Sequence, residues 1–284
     1  MNDGEILIIG ANGQLGRALQ AQYSGAKAVD SDGLDITDRG AVEAFDWSGI
    51  KVVLNAAAYT NVDGAETDEG RVAAWAVNAT AVSNLVDVAL KHDLTLVHVS
   101  SDYVFDGTKD PHVEDEALSP LGVYAQSKAA GDLLVGILPK HYLLRTSWVI
   151  GDGKNFVRTM LSLAGKGVSP TVVADQIGRL TFTSELVRAI DHLLSNNAKA
   201  GTYNVSNGGD SVSWAEITRE IFKLAGADLT VTDTTTAEYF AGKEGIAPRP
   251  LKSTLDLKKI QATGFEPRDW REDLKEYIEK EQAS

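Results

Sequence analysis

The chain has no cysteine among its 284 residues. That excludes disulfide cross-links, thiolate metal sites, iron–sulfur clusters and cysteine nucleophiles together. Basic residues are outnumbered: 27 Lys and Arg stand against 40 Asp and Glu, giving a formal net charge of −13 at pH 7. A surface of that sign repels polyanions, so neither nucleic acid nor an anionic membrane is an expected partner. No apolar run approaches the roughly 18 residues of a spanning helix, and no basic segment leads into an apolar stretch and cleavage site at the N-terminus. Cytoplasm is the expected compartment. Proline is sparse and uneven, with five of the seven at or beyond Pro139. The histidines (His92, His98, His112, His141 and His192) include no i, i+4 pair. A P-loop lysine motif and a Gly-x-Ser-x-Gly elbow are also missing, and so is any internal repeat.

What remains is ordinary globular composition, 43% apolar and 24% charged. The length suits about two domains, or one large one, with a core that needs no staples. Up to residue 148 the pattern alternates. Short apolar runs at 5–9, 27–30, 51–54, 94–99 and 142–145 read as strands. Helical spacing covers 15–23, 37–45, a long alanine-rich stretch at 66–91, and 124–138. Thr37 or Asp38 would cap the second helix. Strands that read as continuous apolar runs, separated by helices, predict a doubly wound parallel sheet with both faces covered. Beyond Trp148 the pattern loosens, with helices expected at 156–166, 184–195, 214–225 and 271–280 and strands at 171–173 and 202–205. The expected fold class is therefore α/β: a Rossmann-like doubly wound parallel sheet with a smaller, interleaved C-terminal α/β substrate lobe. The dinucleotide lobe would cover 1–148 and take back a helix near 182–196. The substrate lobe would take 149–181 and 197–284.

Directly after the first strand comes Gly10-Ala-Asn-Gly13-Gln14-Leu15-Gly16, opening the first helix. Glycine lets the chain reverse, lets a pyrophosphate approach the backbone, and lets helix pack on strand; the free N–H groups at the helix start favour the anion. Asp30 ends the second strand, where a carboxylate can accept from an adenosine ribose. With Ser31-Asp32 following and no cation beside it, Asp30 leans towards NAD over a 2′-phosphate. Asp35-Ile36-Thr37 could meet the adenine edge, or could simply cap a helix.

Three Tyr-x-x-x-Lys pairs occur, at Tyr23/Lys27, Tyr124/Lys128 and Tyr239/Lys243, so the spacing alone decides nothing. Context does: Tyr124 starts the helix after the fourth strand, and that strand ends in Ser100-Ser101. A phenol titrates near 10, too high for efficient proton transfer at neutral pH. A lysine one helical turn away favours the phenolate, and the Ser101 hydroxyl can polarise a substrate carbonyl.

At this point the chain resembles the extended short-chain dehydrogenase/reductases, over about residues 6–277. The resemblance is carried by 10–16 (GANGQLG), 35–37 (DIT), 55–63 (NAAAYTNVD), 100–107 (SSDYVFDG), 124–128 (YAQSK), 145–148 (RTSW), 175–178 (DQIG), Arg249-Pro250 and Leu255-Asp256. SSDYVFDG followed by RTSW points to one branch, and implies reduction of the C4 ketone of a dTDP-linked 6-deoxyhexulose to give dTDP-L-rhamnose. NADH or NADPH would be the cofactor and a nucleotide-diphosphate ketosugar the partner, on a monomer or homodimer. Carried over by position, Gly13, Gln14, Leu15, Asp30, Asp35, Ile36, Ala58, Tyr59 and Thr60 would line the dinucleotide. Tyr124 and Lys128 would be catalytic, with Ser101 standing where the family usually has threonine. Asp102 and Trp148 would contact the sugar. Arg249, with Lys252 or Arg179, is expected on its phosphates, because arginine suits bidentate phosphate recognition.

The chain also departs from the family pattern. Arg179-Leu180-Thr181 replaces a small-residue–Pro–Thr turn, which would move that turn or aim Arg179 at the phosphates. Some members hold magnesium with three glutamates; the matching positions here are Ala18, Glu185 and Arg271, so no such metal site is expected. The rival activities are a nucleotide-sugar epimerase or dehydratase, or a non-catalytic regulatory subunit of the same fold. A dehydratase needs an acidic pair after the hydroxyl residue, and Ser101-Asp102-Tyr103 offers one aspartate.

Overall fold

A computed structural model describes residues 2–283. Its centre is a six-stranded sheet. Five strands are β1 (Ile6–Ile9), β2 (Lys27–Val29), β3 (Val52–Asn55), β4 (Thr95–Ser101) and β5 (His141–Thr146), and the sixth is Gly201–Asn204. The order across the sheet is Gly201–Asn204, β5, β4, β3, β1, β2, with every adjacent pair parallel. Parallel neighbours need crossovers, which α1 (Gln14–Gln22), α2 (Arg39–Ala44), α3 (Asp68–Trp75), α4 (Ala81–Lys91) and α5 (Val123–Val135) supply.

Every residue of β1 and β3 is buried, as strands covered on both faces require. Alternate residues serve opposite cores. Ile6, Ile8 and Leu54 pack with Leu15 and Leu19 of α1 and with Leu186 and Ile190 of α7 (Thr183–Ser195). Leu7, Ile9 and Val53 pack with Val82, Leu85 and Val86 of α4. A third core lies in the C-terminal half, where Val157 of α6 (Phe156–Gly165), Phe182, Ile217, Ile221, Trp270 and Leu274 meet.

Two expectations change and one open alternative is decided. The helix expected at 66–91 starts at Asp68 and is interrupted by a π-helical turn, Ala76–Thr80. By length and composition Asp68–Lys91 could cross a membrane, but here its apolar face covers the sheet. Asp38, not Thr37, caps α2, accepting from the Gly40 and Ala41 N–H groups at 2.8 and 3.2 Å. Gly201–Asn204, assigned to the substrate lobe, joins the central sheet beside β5 in register Tyr203 to Leu144. It belongs there because Tyr203 and the following Val205 are apolar and fill the first core.

The sheet order reverses between β2–β1 and β3–β4, so the connections leaving β1 and β3 run to opposite faces and open a crevice beyond the paired strand ends. That crevice is where open parallel sheets bind ligands.

Candidate active site

Gly10 follows β1 with φ 79°, a backbone region that side chains disfavour, and a Cβ there would sit 2.6 Å from the Ala57 nitrogen. A Cβ on Gly16 would meet the Gly10 carbonyl oxygen at 2.1 Å, so the start of α1 rides directly on the turn. Gly13 is the N-cap of α1 and no side chain caps this end, which leaves its first N–H groups turned towards the crevice without an internal acceptor. Gln14 reaches the other way: its Oε1 accepts from the Gly151 N–H at 2.8 Å.

Two cavities meet at this turn. One, of 310 Å³, is lined by Gly10, Gly13, Asp30, Asp35, Ile36 and Ala58 among others. The other, of 530 Å³, runs past Gly13, Gln14, Leu15, Ala58 and Thr60 to Ser101, Asp102, Tyr103, Tyr124, Lys128 and Trp148. They share Gly13, Ala56 and Ala58, so they are two ends of one cleft over the β1/β3 crevice.

In the smaller cavity Asp30 is already partly engaged, accepting from the Asn12 and Ser31 N–H groups at 2.9 and 2.8 Å. It thereby ties β2 to the glycine turn. Asp35 closes a local turn by accepting from the Thr37 N–H and Oγ1 at 2.9 and 2.6 Å. Tyr59 is absent from both linings. Instead its backbone is clamped by Asn78, which accepts from the Tyr59 N–H at 3.0 Å and donates to its carbonyl at 3.1 Å.

At the larger end, Ser101 closes β4 beside Thr146 of β5, and its hydroxyl donates to Asp102 at 3.0 Å. Burial raises the Asp102 carboxyl to about 6, against the pull of Ser253 and Ser101, and its Oδ2 has no partner. The Tyr124 ring stands edge-on to Tyr103, with centroids 5.8 Å apart. Burial pushes the Tyr124 phenol up to about 12; contact with the Ser101 hydroxyl lowers it, and Asp102 and Asp132 raise it. Lys128 is 1% exposed and donates to the Val99 carbonyl at 2.7 Å. Burial draws its ammonium down to about 8 while Asp132 holds it up. A proton donor, a hydroxyl and a buried cation thus face one cavity, which is the equipment for protonating a carbonyl oxygen as its carbon is reduced.

Arg249 does not join them. Its Nη2 donates to both oxygens of Asp63 at 2.7 and 2.9 Å, and its Nη1 donates to the Ala247 carbonyl. The expected phosphate-binding cation is thus engaged here by a carboxylate 186 residues away. Arg179 donates to the Leu255 carbonyl and Lys252 lies 3.6 Å from Asp110; neither lines the cleft. Glu185 is buried, bonded to the Arg268 N–H at 2.9 Å and paired with Arg188.

Sequence reasoning assigned no role to Asn78. The residue is 1% exposed, sits in the π-helical turn, and donates to Ser127 Oγ on α5 at 3.0 Å as well as holding Tyr59. Such turns often mark functional sites, but nothing in the local pattern signals one. Asn55, the first residue of the family stretch at 55–63, bonds His98, Nδ2 to Nδ1 at 2.9 Å, a contact that sequence reasoning did not anticipate. Burial, aided by the nearby Lys128 charge, keeps His98 neutral.

Comparison with known proteins gives a consistent answer. Residues 4–283 match the family model described as the RmlD substrate binding domain. The dTDP-4-dehydrorhamnose reductase of Aggregatibacter actinomycetemcomitans is 39% identical, over 95% of this chain and 97% of its own. The structure of a Clostridium acetobutylicum dTDP-4-dehydrorhamnose reductase superposes with a TM-score of 0.90 at 38% identity, covering 98% of this chain and 99% of that one. The dTDP-4-dehydrorhamnose reductase of Bacillus anthracis, solved in complex with NADP, superposes with a TM-score of 0.88 at 33% identity, covering 97% of this chain and 98% of that one.

Proposed function

The chain belongs to the RmlD substrate binding domain family, and on that premise we propose that it reduces the C4 ketone of dTDP-4-dehydro-L-rhamnose to dTDP-L-rhamnose at the expense of NAD(P)H. The observation that carries this reading is the gathering of Ser101, Tyr124, Lys128 and Trp148 on one cavity that continues to the glycine turn.

The residues present fit a dinucleotide. Gly13 has no side chain where a pyrophosphate would approach, and it lines both ends of the cleft. The uncapped N-terminus of α1 supplies N–H groups and the positive end of a helix dipole. NAD(P)H, when bound, supplies the hydride that forms the new C–H bond at C4.

Every other element of the reaction belongs to the chain. Ser101 donates to the ketone oxygen and orients it. The carbonyl π pair moves onto that oxygen, which takes the Tyr124 phenolic proton; Tyr124 is left as phenolate. Lys128 stabilises that phenolate, offsetting the burial that otherwise holds the phenol protonated. Asp102 and the Trp148 indole hold the sugar ring.

The test is oxidation of NADH and NADPH, followed by absorbance, with dTDP-4-dehydro-L-rhamnose and with UDP- and GDP-linked ketosugars. Stoichiometric consumption of reduced cofactor with the dTDP substrate is expected. An epimerase would return the cofactor unchanged, and a regulatory subunit would consume none.

A further inference from the structure

Behind Tyr124 lie two charged side chains that the reaction above does not use. Asp132 is 3% exposed and Arg145 is 5% exposed. Burying such groups is unfavourable unless they compensate one another.

Tyr124, Lys128 and Asp132 are spaced four residues apart on α5, so they share one face of the helix. Across from them, Arg145 of β5 stands in register with Ser100 of β4. Its Nε donates to Asp132 Oδ2 at 2.9 Å. Arg145 is itself fixed: Nη1 donates to the Glu114 carbonyl at 2.8 Å, and the guanidinium lies 5.1 Å from the Phe105 ring centroid. Phe105 in turn stacks flat on His112, with centroids 4.6 Å apart. The carboxylate is therefore held in place from the side away from the cavity. Lys128 donates to the Val99 carbonyl, a neutral group that gives no counter-charge.

We propose that Asp132 is a positioning residue of the reduction: pinned by Arg145, its carboxylate is the counter-ion that keeps Lys128 an ammonium and so a partner for the Tyr124 phenolate.

The groups around Lys128 leave this task to Asp132. On α5 they are Tyr124 and Asp132, on β4 His98 with Asp102 just beyond, and on β5 Arg145. Tyr124 and His98 are neutral, because burial raises the first and lowers the second. Arg145 has the same sign as Lys128. Asp102 already receives the Ser101 hydroxyl, and it is Asp132 rather than Asp102 that holds the Lys128 ammonium up. Glu66 binds the Val123 N–H at the start of α5, on the opposite side of Tyr124 from Asp132. Burial alone draws Lys128 down and Asp132 opposes it. Without that carboxylate, burial would act on Lys128 unopposed, and it would shed its proton at a lower pH.

The inference rests on Tyr124 and Lys128 being the reductase pair, so the test reads the lysine directly as well as through turnover. Protein with 13C-labelled lysine is titrated by NMR, with the Lys128 Cε signal assigned by its loss in Lys128→Met. In the unaltered protein Lys128 should titrate near 8. In Asp132→Asn the midpoint should fall by at least about one pH unit, a ten-fold change in proton affinity, and Asp132→Glu should restore most of it. Since Asp132→Asn leaves a guanidinium buried alone, Asp132→Asn/Arg145→Met serves as a second variant that removes both charges; it should keep the low midpoint. In assays, the fall of kcat/KM at alkaline pH should shift down with the lysine. A merely structural role would lower activity equally at every pH and leave the titration unmoved. An unchanged Lys128 midpoint in either folded variant overturns the proposal. Failure of the unaltered protein to oxidise NAD(P)H with the ketosugar would overturn the reductase reading instead, with the titration still deciding whether Asp132 holds the charge.

Discussion

The indole of Trp148 lies flat on that of Trp214, with ring centroids 3.8 Å apart and planes 20° apart. Trp148 follows β5 with φ 47°, a costly conformation for a bulky residue, and lines the cavity that holds Tyr124. Trp214 begins the helix Trp214–Leu224 and is backed by Phe156 at 4.4 Å. Gly178 closes the other side, where a Cβ would come within 3.0 Å of the Trp148 ring. The wall of the cavity is thus one aromatic ring held by another from the C-terminal half.

Removing the support should loosen the wall without touching the chemistry. Aromatic stacking contributes about 0.5–1.5 kcal/mol beyond area burial, so Trp214→Leu should raise KM for the ketosugar roughly 2–10-fold while kcat changes less. Steady-state kinetics checks this, and an unchanged KM would show that Trp148 holds its place alone.

The proton donor gives the sharpest test. Tyr124→Phe keeps the ring and its edge-on contact with Tyr103 but removes the hydroxyl. Cofactor binding, measured by quenching of tryptophan fluorescence, should persist. Turnover should drop at least ~100-fold, in line with the size of general acid catalysis. Near-normal turnover would remove Tyr124 from the mechanism.

Asp102 couples activity to stability. Its folded-state value, about 6, lies above the ordinary carboxylate value of 3.8, so folding favours the protonated form. The contribution is fully present below about pH 4 and is lost as pH rises through about 6, amounting to at most ~3 kcal/mol. Asp102→Asn carries no charge at any pH. Urea unfolding should therefore show the variant gaining on the unaltered protein as pH increases from 4 to 7, while its turnover falls. A difference that stays constant over that range would show that Asp102 titrates normally.

Cofactor choice follows from the smaller cavity, whose lining includes Asp30 and Asp35 and no lysine or arginine. A 2′-phosphate there would face two carboxylates. NADH should give the higher kcat/KM, and Ser31→Arg should raise the NADPH/NADH ratio at least about ten-fold by adding a charge-assisted contact. A native preference for NADPH would mean the phosphate points elsewhere.

Local features were legible in sequence, and long-range pairings were not. The turn at Gly10 and Gly16 declares itself because glycine is needed wherever φ is positive or a Cβ would strike backbone, and both demands arise within seven residues of β1. The Tyr124–Lys128 pair was identified by its place after β4, since the spacing recurs twice elsewhere by chance. Asp132 continues the same helical face and was open to the same argument. By contrast, Arg249 and Asp63 are far apart in the chain, so a free cation was expected where an ion pair exists. Asn78 was equally hidden: its bonds to Tyr59 and Ser127 depend on a local widening of the helix that alanine-rich sequence does not announce.

The sixth strand, Gly201–Asn204, has a consequence for how such a protein can be taken apart. After leaving the sheet at β5, the chain returns to it through α7 and this strand before departing again. A single cut near residue 148 would strip α7 from one face of the sheet and its partner strand from the edge of β5, exposing Leu144, Leu186 and Tyr203 together. The two halves are therefore laced rather than strung in series. Exchanging the C-terminal half for that of a relative while keeping the returning segment needs three junctions, one near residue 148 and one on either side of that segment; a one-junction chimera should not fold.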